Sequence, residues 1–398
     1  MGFRRKYGNA MKPTWNENAS PIGGDANRRQ FLQTAMLMGA GLTAGVGAEA
    51  ADKQNDTSMP ALAPLPMIHT GSGQIPQKPF GKTGVHVSIL GMGGHHLGDA
   101  GSAEEAARLV QTAVDAGITF FDNCWEYHNG RSEDWMGRGL VGRRDKVFLM
   151  TKVCTHGRSG QFGLQMLEES LRRLQTDHLD LWQIHAITYD NDPALAYAKG
   201  GILEAMAKAK KQGKVRFIGF TGHKDPGIHL EMIKRGFPFD SVQMPLNPFD
   251  ANFLSFHRQV LPELAKRGIA ALGMKPMGGT ADSIKRGIVM PEELLRYAMS
   301  LPVATTISGM DKMEVLNKNI ALARDFQPMS SSEMQSLEQR CAPSSGDGRF
   351  ELYKVSIKYD NPETRRPHGF PQDPQSKENQ EALQGQGLSG QDESLVPH

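Results

Sequence analysis

From residue 77 to about residue 339, short apolar runs alternate with stretches whose apolar positions recur at helical spacing. That alternation is the signature of βα units feeding a parallel sheet. The runs predict strands at 88–91, 119–122, 147–152, 179–185, 216–221, 241–244, 270–274 and 304–308. Each is short and β-branched or aliphatic, as strands covered on both faces are. Helices are predicted between them, among them 103–116, 164–175, 202–212 and 292–300. In the first of these Ala106, Leu109, Val110, Ala113 and Val114 share one face, which is left for the sheet. Eight such units close into a (β/α)8 TIM barrel, an α/β fold that carries its chemistry at the C-terminal ends of its strands. Ahead of the barrel, residues 77–85, with a Gly-Lys-Thr-Gly turn at 81–84, predict a short N-terminal hairpin.

The two ends break this rhythm. Asn27-Arg28-Arg29-Gln30-Phe31-Leu32-Gln33 resembles the twin-arginine export signal of bacteria. A weakly apolar stretch of roughly 16 residues follows, short of the ~20 a permanent membrane helix needs. Ala48-Glu49-Ala50 then supplies small residues where a signal peptidase reads them. The expected organisation is a signal peptide over 1–50, a linker over 51–76, the barrel over 77–340 and a largely disordered extension over 341–398. Within that extension, residues 349–354 carry two aromatics and read as a flap that packs back over the barrel. Residues 365–370 are a lesser candidate for contacting substrate or a partner. The resemblance implies a periplasmic or secreted protein that meets the twin-arginine machinery, which carries folded proteins, often with cofactor already bound.

A chain of 398 residues suits one barrel of roughly 250 residues plus tails. A net charge of +2 offers no case for nucleic acid. Cys124, Cys154 and Cys341 show no paired metal spacing and leave at least one thiol unpaired, so a disulfide-stapled fold is not expected.

The reactive residues fall at the predicted strand ends. Asp122 ends the second strand, Tyr127 follows in its loop, Lys152 ends the third and His185 the fourth. Hydride reduction of a carbonyl leaves charge on oxygen, so an acid must deliver a proton there. A phenol of pKa near 10 does this at neutral pH only if a nearby cation favours its ionised form. Lys152 can be that cation, Asp122 can hold it, and His185 can donate a hydrogen bond to the carbonyl oxygen. The run from Phe121 to Glu133, FDNCWEYHNGRSE, with Gly137, Thr151-Lys152 and Leu181-Trp182-Gln183-Ile184-His185, resembles the aldo-keto reductase signature over about residues 77–319. The resemblance puts Asp122, Tyr127, Lys152 and His185 on that family's catalytic tetrad. It implies an NAD(P)-dependent oxidoreductase acting on CH–OH and C=O groups of a small carbonyl or alcohol.

The family binds its nicotinamide nucleotide across the second half of the barrel, without a Gly-rich dinucleotide fingerprint. The resemblance assigns Thr221, Gln243, Met274, Lys275, Gly309 and Asn319 to cofactor binding, with the main chain of 275–279 facing the pyrophosphate. This chain departs from the family at Gly222, where an amide is usual, and at Met274, where Tyr is common. It departs again at Asp311 and Val315, where Arg is frequent; only Lys312 and Lys318 stand nearby. NADP is the default, with NAD the alternative.

His95, His96, His128, His156, His185 and His223 lie in or beside strand-end loops. His95, Trp125 and His128 are candidate substrate-pocket residues. No metal is expected, since no pair has His-x-x-x-His spacing and the family uses none. An iron–sulfur cluster is excluded from the tail, where only Cys341 follows the barrel. Cys124 and Cys154 each follow a candidate catalytic residue by two positions and read as packed thiols that need not face the site. Two rivals remain: a non-catalytic barrel that only binds, and a secreted sugar oxidoreductase that keeps its cofactor tightly bound.

Overall fold

The computed structural model describes residues 62–356 and Tyr359, apart from residues 72, 155–157 and 280. The expected signal peptide, the start of the expected linker, His156 and residues 365–370 lie outside the described residues. Eight parallel strands form a closed barrel: β3 (Leu90–Gly93), β4 (Phe120–Asp122), β5 (Phe148–Val153), β6 (Leu179–Ile184), β7 (Val215–Thr221), β8 (Ser241–Pro245), β9 (Ala270–Met274) and β10 (Thr305–Gly309). Each pairs with its neighbours in chain order, and Gly309 against Gly93 closes the ring. Helices Ala103–Asp115, Gly160–Arg173, Ile202–Lys211 and Pro291–Ser300 pack outside, as a (β/α)8 barrel requires.

Most boundaries fall within a residue of expectation, and two elements differ further for physical reasons. The strand expected at 88–91 is the junction of two elements. β1 (Gln77–Pro79) and β2 (His86–Ser88) form an antiparallel hairpin, and the barrel begins at Leu90. Ser88 turns the corner: its hydroxyl donates to the Leu90 carbonyl at 2.6 Å and accepts the Thr119 N–H at 2.9 Å. The helix expected from 164 begins at Gly160, capped by Ser159. Two glycines in its first turn are poor helix formers and hide that start from the pattern.

The hairpin plugs the bottom of the barrel. Phe80 and Val87 join the barrel-interior cluster of Phe120, Phe148, Met150, Leu181 and Leu272. Phe80 meets Phe148 at 4.8 Å between ring centroids. A separate apolar layer fills the space between strands and helices, with Leu109, Val110 and Ala113 on the face expected from the pattern. The packed body begins before residue 77, because Ile68 bridges to Gln77 and Ile75 is buried. It also continues past 341, where Phe350, Glu351, Tyr353 and Lys354 are all buried. Bottom closed and helices outside, the C-terminal strand ends form the mouth.

Candidate active site

Three of the mouth residues meet at one ammonium. Lys152, buried on β5, donates from Nζ to the Asp122 carboxylate, to the Asn123 carbonyl at 2.9 Å and to the Tyr127 hydroxyl at 3.1 Å. The register that sets Asp122 opposite Met150 carries both side chains to the same end of the barrel. Burial alone would lower the Lys152 pKa, but Asp122 and Tyr127 beside it hold it above the ordinary lysine value. Burial raises the Tyr127 phenol, Lys152 opposes that rise, and the net direction is upward. His185 follows β6 and meets the Tyr127 ring edge-on, with centroids 5.9 Å apart.

The loops are bent to present these groups. His128 and Asn129, just past Tyr127, have φ of 50° and 55°, and Ala186, just past His185, has φ of 48°. Left-handed backbone at non-glycine residues costs on the order of 1–3 kcal/mol each and persists where surrounding structure enforces it. Arg158 supplies the enforcement at Ala186. Fully buried, it donates to the His185 and Ala186 carbonyls at 2.9 Å each and pairs with Asp192 at 3.1 Å.

The candidate pocket residues divide. The His95 ring lies 5.1 Å from the Tyr127 ring and 4.9 Å from that of His128, whose Nε2 donates to the His95 carbonyl at 2.9 Å. Trp125 is tied outward instead, its indole N–H donating to Glu169 at 2.8 Å under the Arg173 guanidinium. Cys124 does touch the site, which corrects the expectation that it need not: Sγ lies 3.4 Å from His185 Nδ1. Residues two apart along extended chain share a face, so Cys124 follows Asp122. Burial holds the Cys124 and Cys154 thiols well above their ordinary pKa.

In the other half of the mouth Thr221, Gln243 and Met274 converge. The Met274 sulfur lies 3.9 Å from Thr221 Oγ1 and 3.8 Å from Gln243 Nε2. Gln243 Nε2 donates to Asp122 at 2.7 Å, so the amide links the two halves. Because a carboxylate only accepts, that bond fixes the amide orientation and leaves Gln243 Oε1 buried with no partner among the described residues. Gly222 is small of necessity: a Cβ there would stand 2.5 Å from the Ile187 carbonyl oxygen. Gly309 is covered by the His96 ring. Asn319 donates to Ser308 at 3.2 Å.

The segment after residue 349 lies on this half as a strap. Gly279 N–H donates to the Phe350 carbonyl at 2.7 Å, and the Tyr359 hydroxyl to the Gly279 carbonyl at 2.6 Å. Lys275, at φ 52°, sets its ammonium 5.2 Å from the Tyr353 ring and 4.6 Å from the Tyr359 ring. Burial pulls its pKa down to about 8. Buried Lys354 anchors the strap between Asp250, at 2.6 Å, and Glu351, at 2.9 Å.

Residues 89–286 match the Aldo/keto reductase family, a range that takes in β3 to β9 and the cluster of Asp122, Tyr127, Lys152 and His185. This barrel belongs to the aldo/keto reductase family. The chain is 24% identical over 302 residues to an uncharacterized oxidoreductase, YqkF, of Bacillus subtilis, covering 66% of this chain and 95% of that one. It is 32% identical over 223 residues to L-galactose dehydrogenase of Arabidopsis thaliana, covering 51% of this chain and 66% of that enzyme. In three dimensions it resembles an aldo/keto reductase from Klebsiella pneumoniae solved with NADP and acetate. There the TM-score is 0.55 at 21% identity, over 68% of this chain and 96% of that one.

Within the aldo/keto reductase barrel, several polar residues escaped the reading of the sequence. Glu133, buried, accepts from Thr151 at 2.6 Å and from Arg173 at 3.2 Å, bracing β5 beside Lys152. Glu126 contacts His185 Nδ1 at 2.6 Å. Arg158 and Asp192 set the loop after β6. Glu133 stands in the signature-like run, though its bracing contacts were not legible there, and Glu126 carried a signal as an acid beside the candidate tyrosine.

Proposed function

We propose that this protein is an NAD(P)(H)-dependent oxidoreductase that interconverts a carbonyl and an alcohol by hydride transfer. The reading rests on one observation, the contact of the Lys152 ammonium with both the Asp122 carboxylate and the Tyr127 hydroxyl. A nicotinamide cofactor, when bound, supplies or takes the hydride at carbon. The chain's own residues handle the oxygen. In reduction Tyr127 gives its proton to the carbonyl oxygen, and Lys152 stabilises the phenolate left behind. Asp122 holds Lys152 charged, and His185 hydrogen-bonds the same oxygen. In oxidation the phenolate takes the proton back.

The residues present suit the cofactor. Gln243 Oε1 is a buried acceptor with no partner among the described residues, the group that a carboxamide N–H2 would satisfy. Thr221 stands beside it, and Met274 offers a thioether face to a flat ring. We favour NADP over NAD. The Klebsiella relative was solved with NADP, and Lys312 opens the helix Met313–Arg324. Against it, Lys318 is paired with Glu314 at 2.8 Å. Export through the twin-arginine route to the periplasm completes the proposal.

The test is Tyr127→Phe, assayed on an aldehyde panel with NADPH and NADH. Turnover should fall by ~10²–10⁴-fold while nucleotide binding persists. Full activity in that variant would remove Tyr127 from the mechanism, and no turnover by the wild type would leave a binding protein. The strap on the 275–279 loop favours a second, narrower reading, an enzyme that keeps its nucleotide between turnovers. Nucleotide released on denaturing the purified protein would support it; a protein absorbing only at 280 nm would end it.

A further inference from the structure

We propose that Glu126 is a positioning residue for His185. It accepts the Nδ1 proton, so that Nε2 is the nitrogen presented to the substrate oxygen, and it balances positive charge on the ring. This rests on the reading of His185 as the group that hydrogen-bonds that oxygen.

The geometry leaves few alternatives. Glu126 Oε1 lies 2.6 Å from His185 Nδ1, the length of a charge-assisted bond, and the two side chains are 8% and 13% exposed. A carboxylate accepts only, so Nδ1 must carry the hydrogen. Cys124 Sγ, the second neighbour of Nδ1, is a thiol held protonated by burial and does not compete as an anion. Nε2 makes no hydrogen bond to any described residue. The ring cannot turn freely, because Arg158 holds the carbonyls on either side of the bend at Ala186 and Tyr127 packs against the ring edge.

Charge makes the same point. Among the described residues the groups facing His185 include Tyr127, Cys124, Glu126, His223 and, through the backbone, Arg158. Lys152 is matched by Asp122, and Arg158 by Asp192. Glu126 is thus the largely covered acid in direct contact with the imidazole. A buried ion pair is rarely the most stable choice for a site, and a small apolar side chain would pack there at less cost. What the carboxylate adds is tautomer and charge. Without it a neutral ring is free to protonate either nitrogen. With it, Nε2–H can donate to a carbonyl oxygen while Tyr127 delivers its proton, and the positive ring is supported throughout. In the overall step the carbonyl gains hydride at carbon and the Tyr127 proton at oxygen. His185 and Glu126 hold that oxygen without net proton change.

The test uses the full chain and four variants: Glu126→Gln, Glu126→Asp, Glu126→Leu and His185→Gln. Glu126→Gln keeps an acceptor and removes the charge; kcat should fall ~10–100-fold, as for partners that orient a reacting imidazole. KM and nucleotide Kd should stay within about twofold, and Glu126→Asp should recover part of the loss. ¹⁵N NMR of the imidazoles should report His185 with both nitrogens protonated in the wild type and a neutral ring of mixed tautomers in Glu126→Leu. If His185→Gln turns over normally, the reading of the site fails. If His185→Gln is inactive while Glu126→Gln matches the wild type, the positioning role alone is overturned. Stoichiometric zinc in the wild type, lost in Glu126→Gln, would also overturn it, since Cys124, Glu126 and His185 place donor atoms within 4.8 Å of one another.

Discussion

The mouth of this barrel has two halves built by one folding rule and completed in opposite ways. Over β4 to β6 most polar groups answer each other, with Gln183 Oε1 left over: Lys152 with Asp122 and Tyr127, Glu126 with His185, Arg158 with Asp192 and two carbonyls. Over β7 to β10 fewer do. Gln243 Oε1 and His223 Nε2 are buried with no partner among the described residues, and the Lys275 ammonium meets two tyrosine rings. Buried polar atoms are nearly always satisfied in folded proteins, and on the proposed reading the open Gln243 oxygen is met by the bound nucleotide. On the proposed reading the closed half is preorganised for proton transfer, which is what such chemistry demands. The open half would take the nucleotide, and the strap lies over it.

The largest expected effect tests the closed half. Lys152→Met leaves Asp122 buried and uncompensated, at a cost of ~3–5 kcal/mol in stability. On the proposed reading it also removes the cation that stabilises the Tyr127 phenolate, with turnover falling ~10²–10⁴-fold. The double variant Asp122→Asn/Lys152→Met separates the two roles. Thermal melting should return most of the way, while activity should not. Recovery of both would mean that the pair only holds the fold.

The strap tests the open half. Lys354→Met sets Asp250 and Glu351 side by side without a cation, a loss of ~3–5 kcal/mol that falls first on residues 350–355. Hydrogen exchange there should quicken and nucleotide should dissociate faster, with the barrel strands unchanged. The same contact has a pH signature. Burial, with Asp250 adding repulsion, raises the Glu351 pKa from 4.5 to about 7. A carboxyl raised on folding contributes stability that is full below its unfolded pKa and lost as pH rises through the folded one. Strap protection, corrected for intrinsic exchange, should therefore weaken between about pH 4.5 and 7 and level off above. A strap that tightens over that range would mean Glu351 is docked ionised.

How far the sequence alone reached follows the same division. The barrel was legible because buried parallel strands are short apolar runs, and Ala270–Met274 was read to the residue. Asp122, Tyr127, Lys152 and His185 were legible as a set because each ends or follows a strand, and the fold brings three of them onto one ammonium. Gly222 was visible only as a missing amide; its reason, the Ile187 carbonyl against its Cα, depends on a contact 35 residues away in sequence. Arg158 and Lys354 were invisible for a similar cause. Each is a long charged side chain buried by partners remote in sequence, where composition suggests solvent.

The smallest effect sharpens the open half at one side chain. Met274 stands between Thr221 and Gln243, where the resemblance expects an aromatic to lie against the nicotinamide. A thioether packs on a flat ring without preferring it, whereas a stacked aromatic adds ~0.5–1.5 kcal/mol beyond area burial. Met274→Tyr should tighten nucleotide binding by roughly three- to tenfold, with kcat little changed, because the proton machinery is anchored across the barrel. Isothermal titration with NADPH and NADH reads this directly. Gly222→Asn, which brings back the other departed residue, should not help, since its Cβ would stand 2.5 Å from the Ile187 oxygen. If Met274→Tyr left affinity unchanged, the nicotinamide would not lie against residue 274. The partnerless Gln243 oxygen would then call for a different ligand, and the open half would need a new occupant while the closed half kept its chemistry.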